Sequence, residues 1–156
     1  MSSAVANKSV HVLEIPTSGA PLILPSAVVA EIINVSELAS APQMPTWCVG
    51  IAGWRQHGVP VVSFETLTGQ AATAPGSRGK LAIMFPFPGQ PQHQFFGFIS
   101  TAEPQPHLLN SADATGVESP VTSPFIAAAV NINGTTGVIP NFDALRTIMF
   151  PAVIQS

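Results

Sequence analysis

The side chains that could hold a metal ion are scattered along the 156-residue chain. Its four histidines lie in separate segments, with no second histidine three or four positions away and no adjacent cysteine: His11, His57, His93 and His107. Metal sites that can be recognised from sequence have closely spaced ligands. The sequence therefore predicts no bound metal.

Nucleophilic chemistry has one thiol available, that of Cys48. This thiol could serve as a nucleophile if a distant histidine such as His57 acted as its base. A serine is the other possible nucleophile, but none of the serines lies in a G-x-S-x-G elbow. The alternative is a small buried hydrophobe between Trp47 and Val49, and we expect this second role. A single cysteine forms no intramolecular disulfide, which fits a reducing compartment.

Nucleotide cofactors and paired acids also leave no signature. Neither the P-loop spacing nor a G-x-G-x-x-G turn is present, so no cofactor is predicted. The acids Glu31, Glu65 and Asp143 lie on three separate segments, and their spacing does not indicate a catalytic pair.

The low charge content limits the kinds of partner that the protein can bind. Charged residues make up 8% of the chain against a usual share of about 25%, and five cations against eight acids give a net charge of −3. So few cations cannot neutralise a phosphate backbone, which argues against nucleic acid. No segment has the roughly 20 apolar residues that span a bilayer, and the first residues lack a signal-peptide core. We expect a cytoplasmic protein without direct membrane insertion.

The segment from Gly53 to Gly58 combines a tryptophan with one of three arginines. Residues 46–67 predict a hairpin, because Gln56-His57-Gly58 separates two apolar runs and glycine supplies the positive φ of a tight turn. Trp and Arg are enriched at binding hot spots, so Trp54 and Arg55 are candidates for a contact surface. Composition alone slightly favours the alternative, a core Trp54 with a solvated Arg55.

The elements that must position these residues are short. Eight apolar runs bounded by Gly and Pro predict many short strands: 10–15, 21–24, 47–51, 59–64, 81–85, 95–99, 125–132 and 137–139. Residues 26–41 fit an amphipathic helix as well as a buried strand and turn. Residues 142–150 predict a terminal helix with Asn141 as its N-cap.

The two halves of the chain correspond. Phe64-Glu65-Thr66-Leu67 and Phe142-Asp143-Ala144-Leu145 lie 78 residues apart, and each follows a Val/Ile/Pro run after a glycine. Two small barrels sharing one core would fit this repetition. Residues 68–79 are the natural linker, and residues 86–94 are a turn-rich loop.

A longer pattern identifies a family. The pattern is V-x-E-I, a proline, G-x-x-x-x-R-x-x-x-x-P-V and an aliphatic-acid pair, found here as Val29-Ala30-Glu31-Ile32, Pro45, Gly50 to Arg55, Pro60-Val61 and Phe64 to Leu67. The sequence resembles the CheW-like domain of bacterial chemotaxis over about residues 10–150. Within that family it is similar to the divergent members of chemosensory systems that control type IV pili.

The resemblance implies a mainly β fold of two intertwined five-stranded SH3-like barrels with a shared core. It implies one domain over residues 8–152, with residues 8–70 and 140–152 in one sub-barrel and residues 71–139 in the other. It also implies a non-catalytic adaptor that joins the cytoplasmic tips of chemoreceptors to the regulatory domain of a CheA-type histidine kinase. Such a protein is recruited to membrane-anchored receptor arrays.

Two residues match family positions associated with receptor coupling: Glu31 in V-x-E-I and Arg55 in the L-R-G turn. We predict a partner-binding surface formed by Val29, Glu31, Trp54, Arg55, Gln56 and His57. Trp54 and Gln56 replace the family's leucine and glycine, and Ser63 and Thr101 stand where acids are common. These departures leave a second interpretation open, a CheW-like scaffold or competing array component that no longer couples the kinase.

Overall fold

The computed structural model describes residues 9–35, 38–39, 45–69, 79–92, 94–110, 115–119, 122–132 and 134–149. These residues form β-strands and two short helices. The strands are β1 (Ser9–Ile15), β2 (Leu22–Pro25), β3 (Val29–Asn34), β4 (Cys48–Trp54), β5 (His57–Val62), β6 (Lys80–Met84), β7 (Phe96–Ser100), β8 (Gln105–Asn110), β9 (Thr115–Val117), β10 (Ile126–Ile132) and β11 (Thr135–Pro140). The helices are α1 (Phe64–Leu67) and α2 (Phe142–Met149).

The strands form two sheets, one of six strands in the order β8-β1-β2-β11-β10-β9 and one of five in the order β3-β6-β7-β5-β4. Each sheet contains one parallel pair, β11 with β2 and β5 with β7, and its other neighbours are antiparallel. The mainly β prediction is confirmed, although one sheet has six strands rather than five.

The sheets divide the chain at other points than the predicted sub-barrels. The five-stranded sheet takes its strands from residues 29–62 and 80–100, and the six-stranded sheet from residues 9–25 and 105–140. The sheets group β1 and β2 with β8 to β11, and β6 and β7 with β3 to β5, because the pairings that join them connect strands distant in sequence. The sub-barrel boundaries stay a prediction, and residues 8, 70–78 and 150–152, which include most of these boundaries and most of the linker, lie outside the described residues.

The core lies in three layers, because both faces of each sheet are buried. Leu81 and Ile83 of β6 face a cluster that belongs to the five-stranded sheet, and Ala82 and Met84 face a larger cluster shared with the six-stranded sheet. This is the period of two that a strand imposes. The third cluster, Val12, Ile23, Val130 and Ile132, belongs to the six-stranded sheet. The shared cluster joins the two sheets into one unit.

The correspondence between the two halves is visible in the fold. Helix α1 follows β5 and helix α2 follows β11, and each of these strands belongs to the parallel pair of its sheet. Ser63 Oγ accepts the N–H of Thr66 at 3.4 Å, and Asn141 Oδ1 accepts the N–H of Ala144 at 3.2 Å. Both helices thus begin with a side-chain N-cap, as predicted for Asn141. The terminal helix is confirmed as far as Met149, and residue 150 is outside the described ranges.

The ambiguous segment at residues 26–41 is resolved in favour of a strand. Ser26–Val28 form one 3₁₀ turn, and Val29–Asn34 pair antiparallel with β6. The apolar residues of β3 contact both clusters of this sheet, with Ile32 on the shared side and Ile33 on the other. Residues 36, 37, 40 and 41 are not among those described.

A buried carboxylate ties the first loop to α1. Glu65 is only 5% exposed. Its Oε2 accepts hydrogen bonds from the N–H and the Oγ of Ser18, which lies in the β1–β2 loop. Buried carboxylates persist where hydrogen-bond donors replace water. Glu65 therefore has a structural role between the two sheets.

The β4–β5 turn differs from the predicted Gln56-His57-Gly58. Trp54 pairs with His57 and Gly53 with Gly58, so the turn consists of Arg55 and Gln56. Their φ angles are +47° and +67°, the values of a two-residue type I′ turn. That turn matches the twist of the strands, which is why two residues without glycine's freedom adopt it.

Replacing Gln56 by glycine is expected to stabilise the protein by about 1 kcal/mol, because a left-handed conformation costs a non-glycine residue roughly that much. The measurement is the free energy of unfolding in urea. Gln56→Ala serves as the control, since alanine keeps the Cβ that disfavours positive φ. An equal gain in both variants would contradict the turn geometry.

Candidate partner-binding surface

A cluster of three side chains brings opposite edges of the five-stranded sheet together. Glu31 lies on β3 and Trp54 at the end of β4, the two outermost strands. Trp54 Nε1 donates to Glu31 Oε1 at 2.9 Å, and Arg55 Nη2 contacts the same oxygen at 3.2 Å. Ala39 and Ile51 also exchange backbone hydrogen bonds between the chain after β3 and β4. The sheet is therefore curled into a barrel, and the cluster lies at its seam.

Arg55 is held in place yet open to solvent. Its side chain is 71% exposed and that of Glu31 is 40% exposed. The guanidinium carbon lies 5.0 Å from the centre of the Trp54 ring, within the range of a cation–π contact. An ion pair this exposed contributes at most about 1 kcal/mol to stability. The arrangement therefore fixes the orientation of an exposed Arg55 while adding little to the stability of the fold.

Trp54 is held by contacts on both its apolar ring and its polar edge. Its ring is half-buried and packs against the cluster of the five-stranded sheet, while its N–H reaches the surface carboxylate of Glu31. Its indole is thus an anchor for the turn that carries Arg55.

An aromatic row extends from this turn. We use the name for Trp54, His57, Phe95 and Phe85. The ring of Phe95 lies 4.8 Å from that of Trp54, 5.3 Å from that of His57 and 6.5 Å from that of Phe85. Sequence reasoning missed Phe95 and Phe85, which it placed within apolar runs. The signal available in the sequence was the strand alternation of residues 95–99, which places Phe95 on the opposite face from Phe96 and Phe98. Phe96 and Phe98 are buried in the shared cluster, and Phe95 packs against the other one.

The predicted surface residues fall into three environments. Glu31, Trp54 and Arg55 contact one another, and the His57 ring lies 6.5 Å from Trp54. Gln56 is exposed in the turn. Val29 packs against the shared core, because a bulge between Val29 and Glu31 shifts the alternation of β3. The structure thus groups four of the six residues closely.

The cysteine is buried. Cys48 is 8% exposed, and its Sγ lies 3.5 Å from the carbonyl oxygen of Gly50, which accepts its hydrogen bond. Of the histidines, His107 contacts Glu14 across β8 and β1 at 2.8 Å. Among the residues that the structure describes, no three His, Cys, Asp or Glu side chains are grouped as metal ligands. In the same part of the chain, none of the helices has the length and apolar character required to cross a bilayer.

Cys48 is expected to react with an aromatic disulfide reagent at least about a hundredfold more slowly in the native protein than in urea. A buried thiol reacts only when the structure opens. The measurement is the release of the coloured thiolate over time, with glutathione as the exposed control. Native labelling as fast as that of glutathione would restore Cys48 as a candidate nucleophile.

Two sheets share one core, and the five-stranded sheet is closed into a barrel with a polar cluster at its seam; these features define the class of the protein. The family model described as "CheW-like domain" matches residues 11–148, and the chain belongs to this family. Its fold is similar to that of the scaffolding protein TtCheW from Thermoanaerobacter tengcongensis, with a TM-score of 0.72 and 13% identity over 86% of this chain and 85% of that one. The two SH3-like barrels implied by the resemblance are thereby confirmed. No curated protein matches the sequence significantly.

Proposed function

We propose that this protein is a non-catalytic adaptor of a chemotaxis-type signalling system, coupling chemoreceptor tips to the regulatory domain of a CheA-type histidine kinase. Family membership supports the adaptor class. The observation that carries the proposal is the Glu31–Trp54–Arg55 cluster, because its acid and arginine match the positions associated with receptor coupling and are joined through one carboxylate oxygen.

The receptor-facing surface consists of this cluster with Gln56 and His57, while Val29, which packs against the shared core, supports it from the other side of β3. Arg55 supplies an exposed charge and directional donors, and the aromatic row supplies apolar contact area. A helical receptor tip fits such a surface, since helices dock through apolar anchors flanked by polar contacts. Docking there places the protein at membrane-anchored receptor arrays without inserting it into the bilayer.

The sequence resemblance to divergent CheW-like proteins, such as ChpC, favours a system that controls type IV pili and twitching motility. The substitutions at the turn support a dedicated receptor. Trp54 in place of leucine provides the indole N–H that binds Glu31, and Gln56 in place of glycine adds an exposed amide beside Arg55.

The second candidate is a scaffold or competing array component that no longer couples the kinase. Gln56 favours it, because the exposed turn itself departs from the family pattern. Ser63 does not favour this candidate, because it is 1% exposed and caps α1. A serine in place of the family's acid therefore changes the interior of the protein and not a contact surface.

The experiment is co-purification of the protein with the receptor fragments and the CheA-type kinase encoded near its own gene. Each partner is tested alone and then with the other. An adaptor captures both partners and brings receptor and kinase into one complex. Capture of the receptor alone supports the second candidate, and capture of neither contradicts both.

A further inference from the structure

The burial of Glu65 is not explained by the helix that carries it. Glu65 and its counterpart in the repeated motif, Asp143, both lie in the first turn of a helix, where the helix dipole favours a negative charge. Asp143 is exposed, so this preference does not require burial. Glu65 is buried, and burial deprives a carboxylate of its hydration. Its position therefore points to a role in its contact with Ser18.

That contact is one of two by which the five-stranded sheet holds the β1–β2 loop of the other sheet. At the start of the loop, the carbonyl of Pro16 accepts the N–H of Thr101, which directly follows β7, at 3.0 Å. Two residues later, the N–H and the Oγ of Ser18 donate to Glu65 Oε2. We call Pro16, Ser18, Glu65 and Thr101 the inter-sheet clamp.

The packing beside the clamp is incomplete. A cavity of about 20 Å³ adjoins Glu65, and its other walls come from the loop, the α1 region and the six-stranded sheet: Thr17, Ala20, Phe64, Thr68, Ile126 and Val138. This space is about that of one water molecule. The apolar contacts of the shared core are non-directional, whereas hydrogen bonds prefer a narrow range of angles. At this boundary, the hydrogen bonds of the clamp therefore limit how the sheets shift against each other.

We propose that the inter-sheet clamp holds the two barrels in one relative orientation, and that coupling of receptor to kinase depends on this orientation. The second part rests on the proposed function. The turn that carries Arg55 precedes β5 and α1 follows it, so one strand joins the receptor-facing surface to Glu65. An adaptor that binds two partners at once sets their relative position through its own rigidity. Glu65 is thus a positioning residue.

Glu65→Leu removes the acceptor of the clamp and keeps most of the side-chain volume. Because Ser18 is exposed, its donors bind water instead, and Tm is expected to change by less than about 4 °C. The relative orientation of the two sheets is expected to change or to become mixed. Residual dipolar couplings of the backbone N–H groups measure this orientation, since one alignment fits both sheets only when they form one rigid body.

Three further variants make the measurement specific. Glu65→Gln keeps an oxygen that accepts from Ser18, so the wild-type orientation is expected. Ser18→Ala removes one donor at an exposed position and is expected to shift the couplings in the same direction as Glu65→Leu. Asp143→Leu is the matched control, because it makes the same change of charge at the exposed counterpart. Wild-type couplings in both Glu65→Leu and Ser18→Ala, or an equal shift in Asp143→Leu, would overturn the orienting role.

The second readout is the complex of receptor and kinase. Glu65→Leu is expected to capture the receptor like the wild type, because the turn with Arg55 is unchanged, and to lower the yield of the joint complex at least about tenfold. An unchanged yield would overturn the dependence of coupling on the clamp. A wild type that joins no receptor to the kinase would contradict the proposed function, while the dipolar couplings would still decide whether the clamp orients the barrels.

Discussion

Arg55→Glu is expected to weaken capture of the receptor tip at least about thirtyfold, the loss typical of a hot-spot residue. In the native protein, the guanidinium of Arg55 lies 3.2 Å from the carboxylate of Glu31. The substitution reverses the one charge of the turn and therefore places two carboxylates side by side. Stability is expected to fall by less than about 1 kcal/mol, because the ion pair is solvent-exposed. The measurements are receptor co-purification and thermal unfolding.

Arg146→Glu is the matched control, since it makes the same change of net charge on α2. It should leave receptor capture unchanged. A large loss of stability in Arg55→Glu would assign Arg55 to the fold instead of the interface. Equal loss of capture in both variants would show that net charge, and not the turn, governs binding.

Leu145→Ala is expected to cost about 3 kcal/mol of unfolding free energy, in the range of buried leucines. Leu145 is fully buried in the cluster shared by the two sheets, and alanine leaves a void there. At roughly 2–4 °C per kcal/mol for a chain of this size, Tm falls by about 6–12 °C. Calorimetry gives both Tm and the number of transitions.

Ile148→Ala is the control from the same helix, because Ile148 is 37% exposed. Its cost should be below about 1 kcal/mol. Since Leu145 belongs to a core built from both sheets, a single transition should persist in the variant. Two separated transitions would show that the barrels unfold independently and that the shared cluster does not couple them.

Local patterns accounted for eight of the eleven described strands and for the start of α2, but they left β3 open and did not predict β8, β9 or α1. The apolar runs at 81–85 and 95–99 became β6 and β7, and Asn141 caps α2. These features depend on neighbours within a few residues, which the sequence displays directly. The repeated motif at residues 64–67 and 142–145 likewise predicted two similar halves with a shared core, although a helix was predicted only at the second of these positions.

The strand partners could not be predicted in the same way. The parallel pairing of Val138 with Leu22 joins residues from opposite ends of the chain, and it moves β1 and β2 away from the sheet of β3. Pairings of this kind depend on the packing of whole sheets, so no local pattern specifies them. The grouping of strands into sheets therefore differs from the predicted division at residues 70–71, which stays a prediction for the sub-barrels.

At the candidate partner-binding surface, the sequence by itself determined the residue types: an acid in V-x-E-I, a tryptophan and an arginine before β5, and little other charge. The tertiary structure decided how they meet. Closure of the barrel brings Glu31 to Trp54, and a type I′ turn without glycine sets the direction of Arg55. Contacts across the seam depend on sheet curvature, and the turn follows strand twist, so both emerge only when the strands have paired.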